Sequence, residues 1–192
     1  MSRHIRSLTA VLLLAACSSG GGGDPAPTRG ERAEELQDRL ENDFVSEPAQ
    51  LPKRGTADYR GFMTARLPLG PDGARRAYIA DLSLSVDFAA PKDQVSGRAQ
   101  NFEAGDDRLG GRLAIRGGDL IRSTDPDDNY TFEARADGTL SKGATDYAVD
   151  AAISGEFRGR GETGVSGVLY GDITGPDDWQ DIFDGTVHAE RQ

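Results

Sequence analysis

Hydrophobic and polar positions change rhythm twice along this chain. From Leu8 to Ala16 the residues are mostly apolar, with Val11, Leu12, Leu13 and Leu14 in succession behind the basic Arg3, His4 and Arg6. From Glu31 to Phe44, Ala33, Leu36, Leu40 and Phe44 recur at helical spacing among Glu and Arg. That spacing predicts a short amphipathic helix, packed over one end of the following domain or frayed. Pro48 and Pro52 end it. From about Thr56 the period is two. Tyr78, Ala80, Leu82, Leu84, Val86 and Phe88 share one face of a strand, and Ile79, Asp81, Ser83, Ser85 and Asp87 share the other.

The same alternation returns at Tyr147, Val149, Ala151, Ile153, Gly155 and Phe157, opposite Asp146, Asp150 and Glu156. Shorter runs are Leu109-Gly111-Leu113-Ile115, Tyr130-Phe132-Ala134-Ala136 and Phe183-Gly185-Val187-Ala189. Turn residues separate them, as at Gly70-Pro71-Asp72-Gly73, Ala104-Gly105-Asp106-Asp107 and Gly175-Pro176-Asp177-Asp178. Strands so spaced predict an all-β fold. Counting them gives an eight-stranded antiparallel soluble β-barrel over 56–190, small enough to be filled by its own side chains. Tyr78, Leu82, Leu84, Phe88, Tyr130, Phe132, Tyr147 and Phe157 are the expected filling. Glycines within strands (Gly97, Gly155, Gly167) suit the sharp bends of a small barrel. The outer faces carry Asp81, Asp87, Asp150 and Glu156, which are costly against lipid and argue against a membrane-spanning barrel.

The segment before the barrel reads as an address and a tether. A basic start, a short apolar run and small residues ending at Ala16 make a signal peptide over 1–16, too short to cross a bilayer as a helix. Leu14-Ala15-Ala16-Cys17 resembles the bacterial lipobox, and Cys17 is the chain's one cysteine, placed where lipidation needs it. Residues 17–30 then form a lipidated cysteine and a flexible Ser/Gly tether, and 31–55 the helix and a linker. Ser18, rather than aspartate, follows the cysteine, a pattern implying release to the outer membrane.

Charge narrows the partners. The 192 residues carry a net charge of −10, which becomes −12 when cleavage removes Arg3 and Arg6. A surface so acidic argues against nucleic acid. It also means that an anchored chain holds the membrane by its lipid rather than by headgroup attraction.

Catalytic and metal chemistry is sparse. After cleavage His188 is the one histidine, and alternation with Val187 and Ala189 predicts that it faces solvent. No cofactor or metal is expected, and no enzyme activity. The acid pairs Asp106-Asp107, Asp127-Asp128 and Asp177-Asp178 read as solvated turn residues. Asp125-Pro126-Asp127-Asp128-Asn129 lacks the glycine and distal glutamate of a calcium loop. Gly159-Arg160-Gly161-Glu162-Thr163-Gly164 fits GxGxxG, but a strand follows it where a dinucleotide site needs a helix, so it reads as a glycine-rich hairpin. Trp179 is the one large aromatic in a loop, either a candidate partner anchor or a plug of the barrel mouth.

Several fragments occur in a telling order: Ala57-Asp58-Tyr59-Arg60-Gly61, Val86-Asp87-Phe88 before Val95-Ser96-Gly97, Gly164-Val165-Ser166-Gly167-Val168-Leu169-Tyr170-Gly171, and Phe183-Asp184-Gly185. Together they resemble the β-barrel domain of the transferrin-binding protein B family, which also includes the barrel of the factor H-binding lipoproteins. The chain departs from the family's usual continuation by having Asp172 after Gly171, and it has room for one barrel alone. The resemblance implies a surface-exposed outer-membrane lipoprotein that binds a host or metal-carrying protein or a solute, and it transfers no binding residue. A monomer is expected. Two other readings stand beside this one: a carrier of a small apolar ligand or haem within the barrel, and a structural envelope lipoprotein.

Overall fold

The computed structural model describes residues 26–70, 73–123, 125 and 130–192. The signal segment, Cys17, most of the tether and Asp127-Asp128 lie outside the described residues. Eight strands follow one another around a closed antiparallel barrel, each bonded to its neighbour in sequence, and the last pairs with the first. They are β1 (Thr56–Leu67), β2 (Arg76–Asp87), β3 (Val95–Ala104), β4 (Asp107–Leu120), β5 (Phe132–Lys142), β6 (Thr145–Arg158), β7 (Gly164–Thr174) and β8 (Gln180–Arg191).

One helix, α1 (Arg29–Glu41), precedes the barrel. It starts within the span expected to be tether, because Thr28 and Glu31 cap it reciprocally. The Glu31 amide donates to Thr28 Oγ1 at 3.2 Å, and the Thr28 amide donates to Glu31 Oε2 at 2.6 Å. These bonds hold the Glu31 carboxyl below its ordinary range. The helix ends at Asn42, so Phe44 falls outside it and stands 57% exposed.

The helix lies along the outer wall, not over an end as its sequence suggested. Its apolar stripe of Ala33, Leu36 and Leu40 is buried against that wall. Leu40 reaches so close to β7 that a β-carbon on Gly164 would sit 2.3 Å from it. Arg29 fixes the other end of the helix, donating to Asp81 and to the Asn101 carbonyl and lying 3.2 Å from Glu103.

Inside, alternation delivers the filling. Tyr59, Met63, Tyr78, Phe102, Phe132, Ile153, Phe157 and Phe183 are almost completely buried. Tyr130 and Tyr147, expected in the interior, are only half-buried at the rims. Bulges in β3 and β4 reset the alternation, near Asn101 (φ 60°) and Gly111 (φ 85°). Gly111 is exposed as a result, rather than on the inner face that its spacing gave it. The Phe132 ring lies over Gly155, where a β-carbon would stand 2.3 Å from the ring. Charged and polar side chains on the outer faces and apolar ones inside are the inverse of a lipid-facing barrel.

The two mouths are closed differently. At one, the linker after α1 crosses the opening and inserts Leu51, which is 2% exposed. Arg122 holds it there, donating to the Leu51 carbonyl at 2.8 Å and the Pro52 carbonyl at 2.5 Å. Beneath lies Phe157, with Tyr59, Phe88 and Phe132 around it at ring distances of 6.0, 5.9 and 5.6 Å. At the other mouth, where the β1–β2, β3–β4, β5–β6 and β7–β8 connections lie, a charged network spans the rim.

Candidate functional site

That network centres on Asp107. Its Oδ2 accepts from Lys142 Nζ at 2.7 Å, Tyr78 Oη at 2.7 Å and Arg76 at 3.2 Å. Lys142 also donates to the Leu69 carbonyl at 2.5 Å. The bonds from Lys142 and Tyr78 hold the Asp107 carboxyl below the ordinary range, and the bond to Asp107 pushes the Lys142 ammonium up. Burial, then the bond to Asp107, raises the Tyr78 hydroxyl. Asp107 is therefore not the solvated turn residue its Asp-Asp context suggested. Register brings Tyr78 and Lys142 to it from other strands.

Trp179 lies on the same rim. It is 37% exposed and meets the Tyr147 ring edge-on at 6.1 Å. These two rings, with Pro68, Leu69, Thr145 and Pro176, line a small pocket of about 350 Å³. Trp179 thus borders the mouth instead of filling it. Asp177 and Asp178 beside it have φ of 56° and 57° and form the tight turn into β8.

His188 departs from expectation. It does point to the outer face of β8, as alternation requires, but α1 covers it and leaves it 4% exposed. Burial pushes its imidazole below the ordinary range, against the pull of Glu41, whose Oε1 is 3.4 Å away. Arg158 opposes protonation too. No sequence pattern signals this, because the covering group comes from an element far away in the chain.

A groove of about 1140 Å³ lies between α1 and the outer wall of β1–β3. Arg32, Glu35 and Arg39 line it from the helix, and Arg60, Ser83 and Arg98 from the floor. Cross-strand register puts Arg60 opposite Ser83, and Ser83 opposite Arg98, in one row. Asp58, Ser85 and Ser96 form the next row. Sequence reasoning missed this site, although Asp58, Tyr59, Arg60, Gly61, Ser96 and Gly97, quoted above for the family resemblance, lie along it.

Among the described residues, no three His, Cys, Asp or Glu side chains come together as a metal site would need. No described helix is long and apolar enough to cross a membrane. No family model, no curated protein and no solved structure matches the chain.

Proposed function

We propose that this chain is a lipid-anchored outer-membrane lipoprotein of the transferrin-binding protein B type. Its barrel serves as a non-enzymatic binding module that takes its protein or solute partner on the outside. The observation that carries this reading is the contrast between lumen and wall. The lumen is filled by Tyr59, Tyr78, Phe102, Phe132 and Phe157 and covered at both mouths, whereas the concave space lies outside, beside α1. The lipobox at Cys17 and the Ser/Gly tether leading to α1 supply the anchor and its reach.

Palmitate labelling and surface protease shaving test the anchor, and a pull-down from intact cells tests the binding. Labelling is expected in the wild type and absent in Cys17→Ala, with the barrel cleaved on whole cells and a partner retained on it. A barrel protected inside intact cells that retains nothing would overturn the proposal. The rim pocket of Tyr147 and Trp179 favours a second reading, a module for a small apolar solute held at the mouth. Loss of a fluorescent apolar probe on Trp179→Ala, with protein capture intact, would select it.

A further inference from the structure

We infer that the groove between α1 and β1–β3 is a binding site for an acidic saccharide, with a carboxylate or phosphate held over the Arg60–Ser83–Arg98 row. This rests on the proposed binding role and names its ligand class.

The guanidiniums carry the inference. Basic residues number 22, of which 19 are Arg and 3 are Lys. Most described arginines are engaged: Arg29 with Asp81 and Glu103, and Arg39 with Glu190, at the edges of this same groove. The guanidiniums of Arg32, Arg60 and Arg98 line the groove with no hydrogen bond or ion pair among the described residues. In a chain of net charge −10, unmatched cations gathered in a concavity stand out from the surrounding surface. Adjacent strands are roughly 4.8 Å apart, so Arg60 and Arg98 flank Ser83 across about 10 Å. Two rigid forks at that spacing can approach one oxyanion from both sides, each with paired N–H donors. Arg32 reaches the same space from the helix.

The rest of the lining suits hydroxyls. Ser83, Ser85, Ser96 and Gln100 line the groove, and their side chains make no hydrogen bond among the described residues. Serine carries little apolar surface, so a patch of it contributes little as packing. Its small side chains do keep the floor low, so the groove stays open. Glu35 and Asp58 are the groove's remaining unpaired acids. They would repel a bare polyanion, yet they accept hydrogen bonds from sugar hydroxyls. A ligand with one acidic group and many hydroxyls satisfies both sets.

Calorimetry on the purified protein tests this with glucose 6-phosphate, glucuronate, glucose and inorganic phosphate as probes. Both acidic sugars are expected to bind at least about tenfold more tightly than glucose or phosphate. Arg60→Gln and Arg98→Gln should each weaken them about tenfold or more. Arg112→Gln, on the same wall outside the groove, should not. Unchanged melting temperatures for all three variants separate lost binding from lost folding. The inference fails if no probe gives heat, if glucose or phosphate binds as tightly as the acidic sugars, or if Arg112→Gln weakens binding equally. A wild-type protein that binds no probe yet retains a cell-derived partner, as do Arg60→Gln and Arg98→Gln, would remove the saccharide site and leave the binding role standing.

Discussion

The two mouths of the barrel solve one problem by opposite means, and a carboxyl group at each records the difference. At the linker mouth Glu162 sits in the β6–β7 hairpin, 8% exposed, and burial pushes its carboxyl up, against the pull of Arg191. At the hairpin mouth Asp107 gathers three donors, and its carboxyl is pulled down. The first mouth is closed by apolar packing that tolerates a charge poorly, the second by charge itself. Stability at the two mouths should therefore respond to different changes.

The largest expected effect is at the linker mouth. Phe157 is fully buried and touches Tyr59, Phe88 and Phe132. Phe157→Ala removes the ring on which the other three converge and should cost about 3–5 kcal/mol in urea unfolding. A cost below about 1 kcal/mol would mean that Leu51 and the linker close this mouth without the cluster.

Next comes Asp107→Asn, expected to cost about 2 kcal/mol at neutral pH, because Lys142 and Tyr78 lose a charged acceptor. The sign with pH follows from the lowered carboxyl. Its stabilisation is fully present above the ordinary value of 3.8 and is lost as pH falls through its lower folded value. The raised Lys142 behaves conversely, its share present below the ordinary 10.5 and lost as pH rises through its folded value. Asp107→Asn should flatten the acid limb of a melting-temperature profile. An unchanged limb would separate the network from the closure of that mouth.

Glu162→Asn should act in the opposite direction and less strongly, stabilising by about 1 kcal/mol. Glu162 has φ of 53°, a region that Asn tolerates better. Its carbonyl accepts from Tyr59 Oη at 2.9 Å, and the substitution keeps that bond. The raised carboxyl favours folding below the ordinary value of 4.5, and that preference is lost as pH rises through the folded value. The charge-related part of the gain should thus vanish in acid, while the backbone part persists.

Legibility in sequence divides along the same line as the mouths. β2 alternates without interruption from Tyr78 to Val86, so its inner face could be read directly. In β3 an extra residue shifts the inner set from Val95 and Ala99 to Phe102 and Ala104, so Phe102 was overlooked; in β4 the bulge leaves Gly111 outside while Leu109, Leu113 and Ile115 keep the inner face. The apolar mouth was partly legible because Phe132 and Phe157 lie in alternating runs. The charged mouth was not, because Asp107, Tyr78 and Lys142 meet only through the closed register. His188 and the Arg60–Ser83–Arg98 row were hidden for a related reason. Alternation tells which face a residue takes, but not whether a helix from earlier in the chain covers that face or borders it.

The smallest expected effect decides what Trp179 does at the charged mouth. Its ring contributes one edge-on contact with Tyr147 and remains 37% exposed. Trp179→Ala should therefore cost only about 0.5 kcal/mol, near the scale of ordinary surface changes. A cost of about 3 kcal/mol or more would make Trp179 a plug and the closure of this mouth apolar after all, erasing its contrast with the linker mouth. The smaller cost would leave the ring free of structural duty, because Asp107, Lys142 and Arg76 already close the rim beside it. A half-exposed indole that folding does not require, set against Tyr147 above a pocket of about 350 Å³, is then available to a ligand.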